Sequence, residues 1–330
     1  MGWAVRDLWL ITEDVSRTFF MLAELLAWLG PHRRYDVRVL PHRQPPRPVW
    51  DVFVLGADRA LVLLATRDLA QVDRGLWLAD PDQVQACREH FDRLWEESRP
   101  LLSFYRASVA DEDREFVYQL RDAEAKPGER RYVAEDLSTL NYPPLERFDW
   151  RTYWLGHRPP RPANEWEYTE EFLDIRLARA QNFVDQLGTH RHRDIISRDW
   201  LWRYAQGAYI PPYGATHPPE LVVARLEWVI ELLRCYPNYE LALAAPGDVA
   251  GQETTVWPWP HWEVKGDTVL FEVEPDYSCV CQDADVAAAF ARYHNSLWER
   301  LPHETRTKEA VIAQLKDALA AARQADGQGA

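Results

Sequence analysis

The sequence contains one order of predicted elements twice, and this internal repeat limits the fold more than any other feature. In the first copy, residues 19–29 carry apolar side chains at helical spacing, and an alternating, strand-like segment follows at 35–40. In the second copy, residues 221–233 have the same helical spacing, and the alternating segment lies at 239–243. Each half is therefore predicted to contain a helix followed by a strand.

A β-hairpin is predicted next in each half, after a proline-containing loop that is longer in the second half. Residues 50–64 contain two strand-like runs around a Gly-Ala-Asp turn, and residues 262–273 lie around a Lys-Gly-Asp turn in the same way. A short turn with glycine and aspartate between two such runs is a hairpin signature. The repeat therefore continues through the hairpin.

Each half ends with a helix in nearly identical register, over 80–97 and 283–300. The matching residues are Asp80, Asp82, Leu94, Trp95 and Glu96 in the first half and Asp283, Asp285, Leu297, Trp298 and Glu299 in the second. An aspartate in front of an amphipathic run caps a helix, and an acid in the first turn suits the helix dipole. We expect each tryptophan to pack its helix onto its own sheet.

This alternation of helices and strands predicts an α/β fold, with α+β as the alternative. We predict five segments: a first α/β repeat over 1–103, a charged and then proline- and aromatic-rich connector over 104–166, a helical insert over 167–216, a second α/β repeat over 217–303, and a C-terminal helix and tail over 304–330. Inside the insert, helices are predicted over 167–187 and 198–206, with residues 190–194 in the loop between them.

The repeat resembles the phospholipase D-like half-domain, in the version found as a sensor or effector domain of bacterial, especially actinobacterial, transcriptional regulators. The stretches that carry the resemblance are VWDVFVLGADRALVLLAT with ADPDQVQACREHFDRLWEES, and HWEVKGDTVLFEV with DADVAAAFARYHNSLWERLP. The two copies span about half of the chain. The resemblance implies two α/β half-domains related by a pseudo-twofold axis, and the enzymes of that superfamily carry one H-x-K-x-x-x-x-D motif in each half.

The sequence departs from this family at the catalytic motif. No histidine is followed two residues later by lysine. His261 and Lys265 share the parity of one strand face, but the first half has Val49 and Phe53 at the matching positions. A symmetric histidine nucleophile is therefore missing. We predict the fold without the phosphodiesterase chemistry, and we assign no catalytic residue.

Two stretches supply candidate ligand-binding residues. The first is basic and comprises His190, Arg191, His192, Arg193, Arg198 and Arg203. It suits a phosphate, a carboxylate or a nucleic-acid backbone, and the alternative is a solvated loop paired with the protein's own carboxylates. The second stretch contains Trp257, Trp259 and His261, just before the second hairpin. It is interpreted either as one wall of a ligand cleft between the halves or as a cover over the sheet edge.

The composition limits the partners. A net charge of −14 disfavours a protein that grips nucleic acid with a whole face, because phosphate neutralisation dominates such affinity. Cys279 and Cys281 lack the C-x-x-C spacing of zinc and redox sites, so no metal and no cofactor are predicted. We expect a small anionic ligand or a partner protein, with nucleic acid as a less favoured alternative. The oligomeric state is left open.

The location and the function are predicted together. Residues 1–10 contain Arg6 and Asp7 and do not form a secretory signal, and no apolar run reaches the ~18 residues of a membrane helix. We therefore expect a cytoplasmic, non-enzymatic regulatory protein that senses a ligand or binds a partner. One alternative is a phosphodiesterase- or nuclease-like enzyme that uses His190, His192 or His261. The other is a nucleic-acid-binding transcriptional regulator that uses the arginines between 191 and 203.

Overall fold

A computed structural model gives the fold of most of the chain. The described residues are 5–9, 35–39, 50–56, 58–64, 74–100, 102–157, 164–207, 217–250, 261–273 and 277–328. They form an α/β protein, as predicted, and the chain divides into two compact units, Met1–Leu102 and Ser103–Ala330. The predicted helix over 19–29, together with Trp257 and Trp259, lies outside the described residues.

Unit 1 contains two small sheets in its described part. The strands are β1 (Val5–Trp9), β2 (Tyr35–Val39), β3 (Trp50–Leu55), β4 (Arg59–Leu64), β5 (Arg74–Leu78) and β6 (Arg99–Pro100). Strands β1 and β2 pair in parallel, and β6 pairs antiparallel with β2. Strands β3, β4 and β5 form an antiparallel meander. Gly56 has a φ of +65° in the turn after β3, a backbone conformation that glycine adopts most easily.

The meander of unit 1 is followed by helix α1 (Pro81–Glu97). Asp80 caps this helix as predicted, because its carboxylate accepts hydrogen bonds from the backbone N–H groups of Asp82 and Gln83. Trp95 is 9% exposed near the end of the helix. These contacts fix where the helix begins and hold its far end in the core of unit 1.

Unit 2 is built on one seven-stranded sheet with the order β10-β9-β8-β11-β12-β13-β7. The strands are β7 (Ser103–Arg106), β8 (Arg130–Val133), β9 (His192–Ser197), β10 (Tyr239–Ala244), β11 (His261–Lys265), β12 (Thr268–Val273) and β13 (Tyr277–Gln282). Strands β8, β9 and β10 are parallel, and the pairs from β8 through β11, β12 and β13 to β7 are antiparallel. Segments predicted as connector, helical insert and second repeat therefore share one sheet.

The helices of unit 2 cover both faces of this sheet. They are α2 (Ala110–Ala125), α3 (Trp150–Gly156), α4 (Glu170–Gln186), α5 (Arg198–Ala205), α6 (Pro219–Cys235), α7 (Pro246–Ala250), α8 (Ala284–Arg300), α9 (His303–Arg306) and α10 (Lys308–Gln328), with 3₁₀ turns at Thr139–Asn141 and Trp166–Tyr168. On one face of the sheet, Leu270 and Val280 pack with Phe116 of α2 and Leu173 of α4. On the second face, Phe290 of α8 meets the Trp262 ring at 5.6 Å. No helix in the described residues is both long enough and apolar enough to cross a membrane.

The predicted loop at 190–194 is wrong, because His192–Ser197 is strand β9 inside the parallel part of the sheet. Side chains alternate along a strand, so His192 and Asp194 share one face and Arg193 lies on the other. The charged residues of this strand pair with residues of neighbouring elements. These partners are distant in sequence, so a prediction from the local sequence cannot take them into account. The helices predicted on either side agree with α4 and α5.

In unit 1, Trp95 of α1 is surrounded by an aromatic ring and two cations. Its ring stacks on Phe91, one turn earlier, with centroids 5.6 Å apart. The guanidinium of Arg38 lies 4.6 Å from the Trp95 ring, and that of Arg6 lies 5.2 Å from it. Arg6 also pairs with Asp92 at 2.8 Å. Strands β1 and β2 are thus held to α1 by stacking and cation–π contacts.

In unit 2, Trp298 of α8 has similar surroundings. Its ring stacks on His294, again one turn earlier, with centroids 6.3 Å apart, and the Arg193 guanidinium lies 5.0 Å from it. Arg6 is the second residue of β1, and Arg193 is the second residue of β9, so each lies on a strand of a parallel pair. Both units also contain a parallel pair, a three-stranded meander and an Asp-capped helix. The duplication and its pseudo-twofold axis stay predictions.

Candidate functional site

The candidate site lies at the carboxyl edge of the parallel strands in unit 2, where α/β sheets generally bind their ligands. Strand β11 is antiparallel to β8, so His261, its first residue, is placed at that edge. The pairing of β11 with β12 sets His261 opposite Glu272. The edge therefore presents an imidazole and a carboxylate from adjacent strands.

His261 and Glu272 form a partly exposed pair. Nδ1 of His261 lies 3.0 Å from Oε2 of Glu272, and the two side chains are 28% and 35% exposed. Burial lowers the pKa of His261, but the charge and hydrogen bond of Glu272 outweigh it, so the pKa is raised overall. Within the described residues, Nε2 of His261 has no hydrogen-bond partner. This nitrogen is available to a bound molecule.

Asp136 and Arg225 lie behind this pair. Asp136 follows β8, and its backbone carbonyl accepts a hydrogen bond from the Tyr132 hydroxyl at 3.3 Å. Burial raises the pKa of Asp136, against the opposing positive charges of His261 and Arg225. Arg225 of α6 is 3% exposed and donates to the carbonyls of Leu137 and Ser138 at 2.8 and 2.9 Å. A buried cation thus lies beside the loop that leaves β8.

Two tyrosines and a histidine surround Arg225. The guanidinium lies 4.6 Å from the Tyr142 ring and 5.6 Å from the Tyr204 ring. His217 lies between the two hydroxyls, with Nε2 3.0 Å from Tyr142 Oη and Nδ1 3.0 Å from Tyr204 Oη. Burial, followed by the charges of Arg225 and Arg176, lowers the pKa of His217 to about 3. The imidazole is therefore neutral and takes no proton from a ligand near pH 7.

Two further carboxyls titrate close to neutral pH. Asp113 of α2 is 7% exposed and accepts a hydrogen bond from Asn164 Nδ2 at 2.8 Å. Burial, followed by the negative charges of Glu167 and Glu272, raises the pKa of Asp113 to about 7. Burial also raises the pKa of Glu167 to about 7, while the charge of Arg176 opposes the shift. The negative charge beside the site therefore changes between pH 6 and 8.

Replacing Asp113 with asparagine should stabilise the protein at pH 8. The folded-state pKa is about 7 against an ordinary value of 3.8, so the folded state binds more protons than the unfolded state between these values. The stabilisation from Asp113 is fully present below pH 3.8 and is lost as the pH rises through about 7. Asparagine keeps the Asn164 hydrogen bond and carries no charge. We expect a gain of about 1–3 kcal/mol at pH 8, measured by chemical denaturation.

The matched control for this prediction is Asp111→Asn. Asp111 is exposed in the first turn of the same helix, so it shares the helix-dipole contribution of Asp113 without the burial. The gain of Asp113→Asn over this control should shrink steadily as the pH is lowered from 8 to 4.5. An Asp113→Asn protein no more stable than wild type at pH 8 would contradict the prediction.

A buried ionic network lies below the edge on the same face of the sheet. Arg130 of β8 donates to Asp194 of β9 at 2.7 Å and lies 2.7 Å from Glu263 of β11. Lys265 donates to the carbonyl of Gly128 and to Gln186 Oε1, both at 2.6 Å. Burial lowers the pKa of Lys265 to about 8. Each of these charged groups has at least one partner within the protein, so the network joins β8, β9 and β11 to helix α4. Nε of Arg130 and Oε1 of Glu263 are buried without a hydrogen-bond partner among the described residues.

The basic residues predicted to form one ligand site come together only in part, because Arg191 and Arg193 share Glu240 while Arg203 has a different partner. Arg191 and Arg193 lie 3.4 and 2.7 Å from Glu240, and Arg203 pairs with Glu135. Arg198 begins α5, and the backbone N–H of His190 bonds to the end of α4. The predicted pairing with the protein's own carboxylates therefore describes Arg191, Arg193 and Arg203.

The three histidines of the predicted enzymatic alternative do not share a site. His192 is 1% exposed on β9, and burial lowers its pKa to about 2. The strand register places His192 level with Lys265, so His261 lies two strands across and four residues further along. That offset is about 16 Å between Cα atoms at the usual strand spacings. His190 precedes β9 at the opposite end from His261.

The residues beside His261 are in the wrong order for a nucleophile triad. On the adjacent strands β11, β12 and β13, the residues that lie side by side are His261, Glu272 and Ser278. A triad needs the imidazole between the hydroxyl and the carboxylate, and here the carboxylate is in the middle. In unit 1, residues 50–78 contain no histidine, so the meander there supplies no second imidazole. No group of three or more metal-ligating side chains occurs among the described residues.

Comparisons with known proteins identify one family match. The model of a domain of unknown function, DUF6879, matches residues 29–106. The matched range runs from before β2 to the end of β7, less than half of the chain, so it does not place the whole chain in that family. No curated protein matches the chain.

One solved structure matched by the comparison is that of an archaeal chromatin protein, TrmBL2, described as showing a novel mode of DNA binding. The identity is 10% and the TM-score is 0.31, over 67% of this chain and 63% of that one. The chain thus spans less than two thirds of that protein, and a likeness at this level carries no argument about function. Neither description names a phospholipase D-like protein, so that resemblance stays a prediction.

Proposed function

We propose that this protein is a non-enzymatic regulatory protein that senses a small ligand at the carboxyl edge of the sheet in unit 2. The ligand contacts the edge cluster, defined as Asp136, Arg176, Arg225, His261 and Glu272. The single observation that carries this proposal is the partly exposed His261–Glu272 pair, with Nε2 of His261 unpartnered among the described residues. Charged groups this close to a buried network need a partner in water or in a ligand.

The sensing role is favoured over catalysis by the residues around His261. A phosphodiesterase of the resembled superfamily uses one histidine and one lysine from each half. Here Lys265 bonds to Gly128 and Gln186, deep in the protein, and strand β3 of unit 1 contains no histidine. We propose further that both units derive from one phospholipase D-like half-domain. The support is their shared element order and the similar contacts of Trp95 and Trp298.

A thermal-shift screen with a metabolite library tests the sensing role. A compound that binds the folded protein raises its midpoint by mass action, and a compound at 100 times its Kd contributes about 2.7 kcal/mol. We expect hits that raise the midpoint of wild type by several degrees and lose most of that shift in His261→Gln and Glu272→Gln. Both side chains are about one-third exposed, so the variants should fold.

Arg191→Gln is the control, because Arg191 is half-exposed and precedes β9 at the end of the sheet opposite His261. Its response to each hit should equal that of wild type. Hits that bind all four proteins equally would place the ligand elsewhere and end the proposal. Turnover of bis(p-nitrophenyl) phosphate that disappears in His261→Gln would replace sensing by catalysis.

A further inference from the structure

The buried polar atoms of the edge cluster that lack a protein partner are all hydrogen-bond donors. Nε of Arg225 and Nε of Arg176 are buried without an acceptor among the described residues. Nε2 of His261 is also unpartnered, and it is a donor when the imidazole is protonated, the form that Glu272 favours by raising its pKa. By contrast, no carboxylate oxygen of Asp136 or Glu272 is buried without a hydrogen-bond partner. An unmet buried donor is costly, so the missing groups are acceptors.

The two guanidiniums also lack ion pairs. Among the described residues, neither Arg176 nor Arg225 pairs with a carboxylate, although most arginines of this acidic chain do. Arg225 is held between tyrosine rings, and Arg176 lies 4.6 Å from the Phe172 ring. Both positive charges act on His217, whose pKa they lower. His217 in turn bonds to Tyr142, and the Arg225 guanidinium lies 4.6 Å from the Tyr142 ring.

We infer that the edge cluster binds the anionic group of its ligand, a carboxylate or a phosphate, through Arg176, Arg225 and His261. Guanidinium N–H groups match the oxygens of both anions, and charge-assisted hydrogen bonds are about twice as strong as neutral ones. This inference rests on the proposed sensing function and adds the class of ligand. A cationic or neutral ligand at the same cluster would leave that function standing and overturn the inference.

Anion binding at this cluster is coupled to proton uptake. The carboxyls that face the two arginines and His261 are Asp113 of α2, Asp136 after β8, Glu167 of the second 3₁₀ turn, Asp194 of β9, Glu263 of β11 and Glu272 of β12. A bound anion raises the pKa of each of these groups, and Asp113 and Glu167 already titrate near pH 7. The ligand therefore binds more tightly as the pH falls from 8 to 6.

The test uses sulfate, which mimics phosphate and keeps its charge from pH 6 to 8, and acetate at the same pH values. Each is titrated against the full chain at constant ionic strength, with the thermal midpoint as the readout. We expect one anion to give a saturable rise at pH 7, with a Kd at least threefold tighter at pH 6 than at pH 8. The anion that saturates at lower concentration distinguishes a phosphate from a carboxylate ligand.

Variants separate binding from general salt effects. Arg176→Gln should weaken the saturable component at least tenfold, and His261→Gln should weaken it by a smaller factor. Arg151→Gln is the matched control, because Arg151 pairs with Asp174 at 2.9 Å on the surface of the same unit. Asp113→Asn should flatten the pH dependence without abolishing binding. Arg225 is avoided here because its removal would leave Leu137 and Ser138 without their donor.

Three outcomes would overturn the inference. The first is the absence of a saturable shift with either anion. The second is an equal loss of affinity in Arg176→Gln and Arg151→Gln, which would place the anion elsewhere. The third is saturable binding of methylammonium with tighter binding at pH 8, which would assign the cluster to a cation and keep the sensing function.

Discussion

Replacing Arg130 with methionine should lower the free energy of unfolding by about 3–5 kcal/mol, because it leaves two buried carboxylates without their cation. Arg130 is 1% exposed, and it lies 2.7 Å from both Asp194 and Glu263. These residues belong to three adjacent strands, β9, β8 and β11, so the substitution affects the middle of the sheet. The measurement is chemical denaturation at pH 7, followed by tryptophan fluorescence.

The loss in Arg130→Met should shrink at acidic pH. Burial already raises the pKa of Asp194 and of Glu263 in the wild-type protein, while Arg130 opposes both shifts. Without Arg130 both pKa values rise further, so the folded variant binds more protons than the unfolded chain as the pH falls. The gap to wild type is therefore smaller at pH 5 than at pH 8.

Arg203→Met controls for the loss of an arginine. Arg203 and its partner Glu135 are about half exposed, so this variant should lose less than about 0.5 kcal/mol. If Arg130→Met does not fold, Glu263→Gln tests the same network, since Arg130 then keeps Asp194 as its partner. We expect that variant to lose about 1–3 kcal/mol. Equal stabilities of Arg130→Met and Arg203→Met would show that the network contributes nothing.

Replacing Trp298 with alanine should destabilise unit 2 by about 3–5 kcal/mol, the usual range for a large buried aromatic side chain. Trp298 is 3% exposed, stacks on His294 and contacts the Arg193 guanidinium at 5.0 Å. The substitution opens a cavity between α8 and β9 and removes a cation–π contact. Hydrogen exchange should show the loss of protection in α8 and β9.

Trp95→Ala should have the same kind of effect in unit 1, with loss of protection in α1, β1 and β2. Trp77→Ala is the control, because Trp77 is 59% exposed and its removal leaves no cavity. A Trp298→Ala protein as stable as Trp77→Ala would refute the assignment of Trp298 to the core. Loss of protection in unit 2 but none in unit 1 for the respective variants would weaken the case for a duplication.

Local signals predicted the elements that local contacts define. Asp80 and Asp283 cap their helices as expected, because an N-cap depends only on the next three residues. Gly266, with a φ of +60°, closes the second hairpin at the predicted turn. Strands β8 and β9 were missed, because their charged residues satisfy one another across the sheet. Arg130 and Asp194 can be buried in a strand only because each neutralises the other, and this pairing is not visible in the local sequence.

The candidate site was predicted in part. His261 is selected from its place before the second hairpin. In the basic stretch around His190, Arg191, Arg193 and Arg203 pair with the protein's own carboxylates, which the local sequence does not identify. Glu272 was within reach of sequence reasoning, because a two-residue turn sets Lys265 opposite Thr268 and so His261 opposite Glu272. Arg176 and Arg225 were not, because α4 and α6 reach the edge only through tertiary packing.

Strand β11 places His261, Glu263 and Lys265 on one face, at steps of about 7 Å. The first of these side chains meets solvent and the other two lie in the core. A change of charge on the outer imidazole is therefore felt by the inner carboxylate and ammonium through a poorly screening medium. Ligand binding at the edge of the sheet and the stability of the buried network are therefore coupled electrostatically through the side chains of β11.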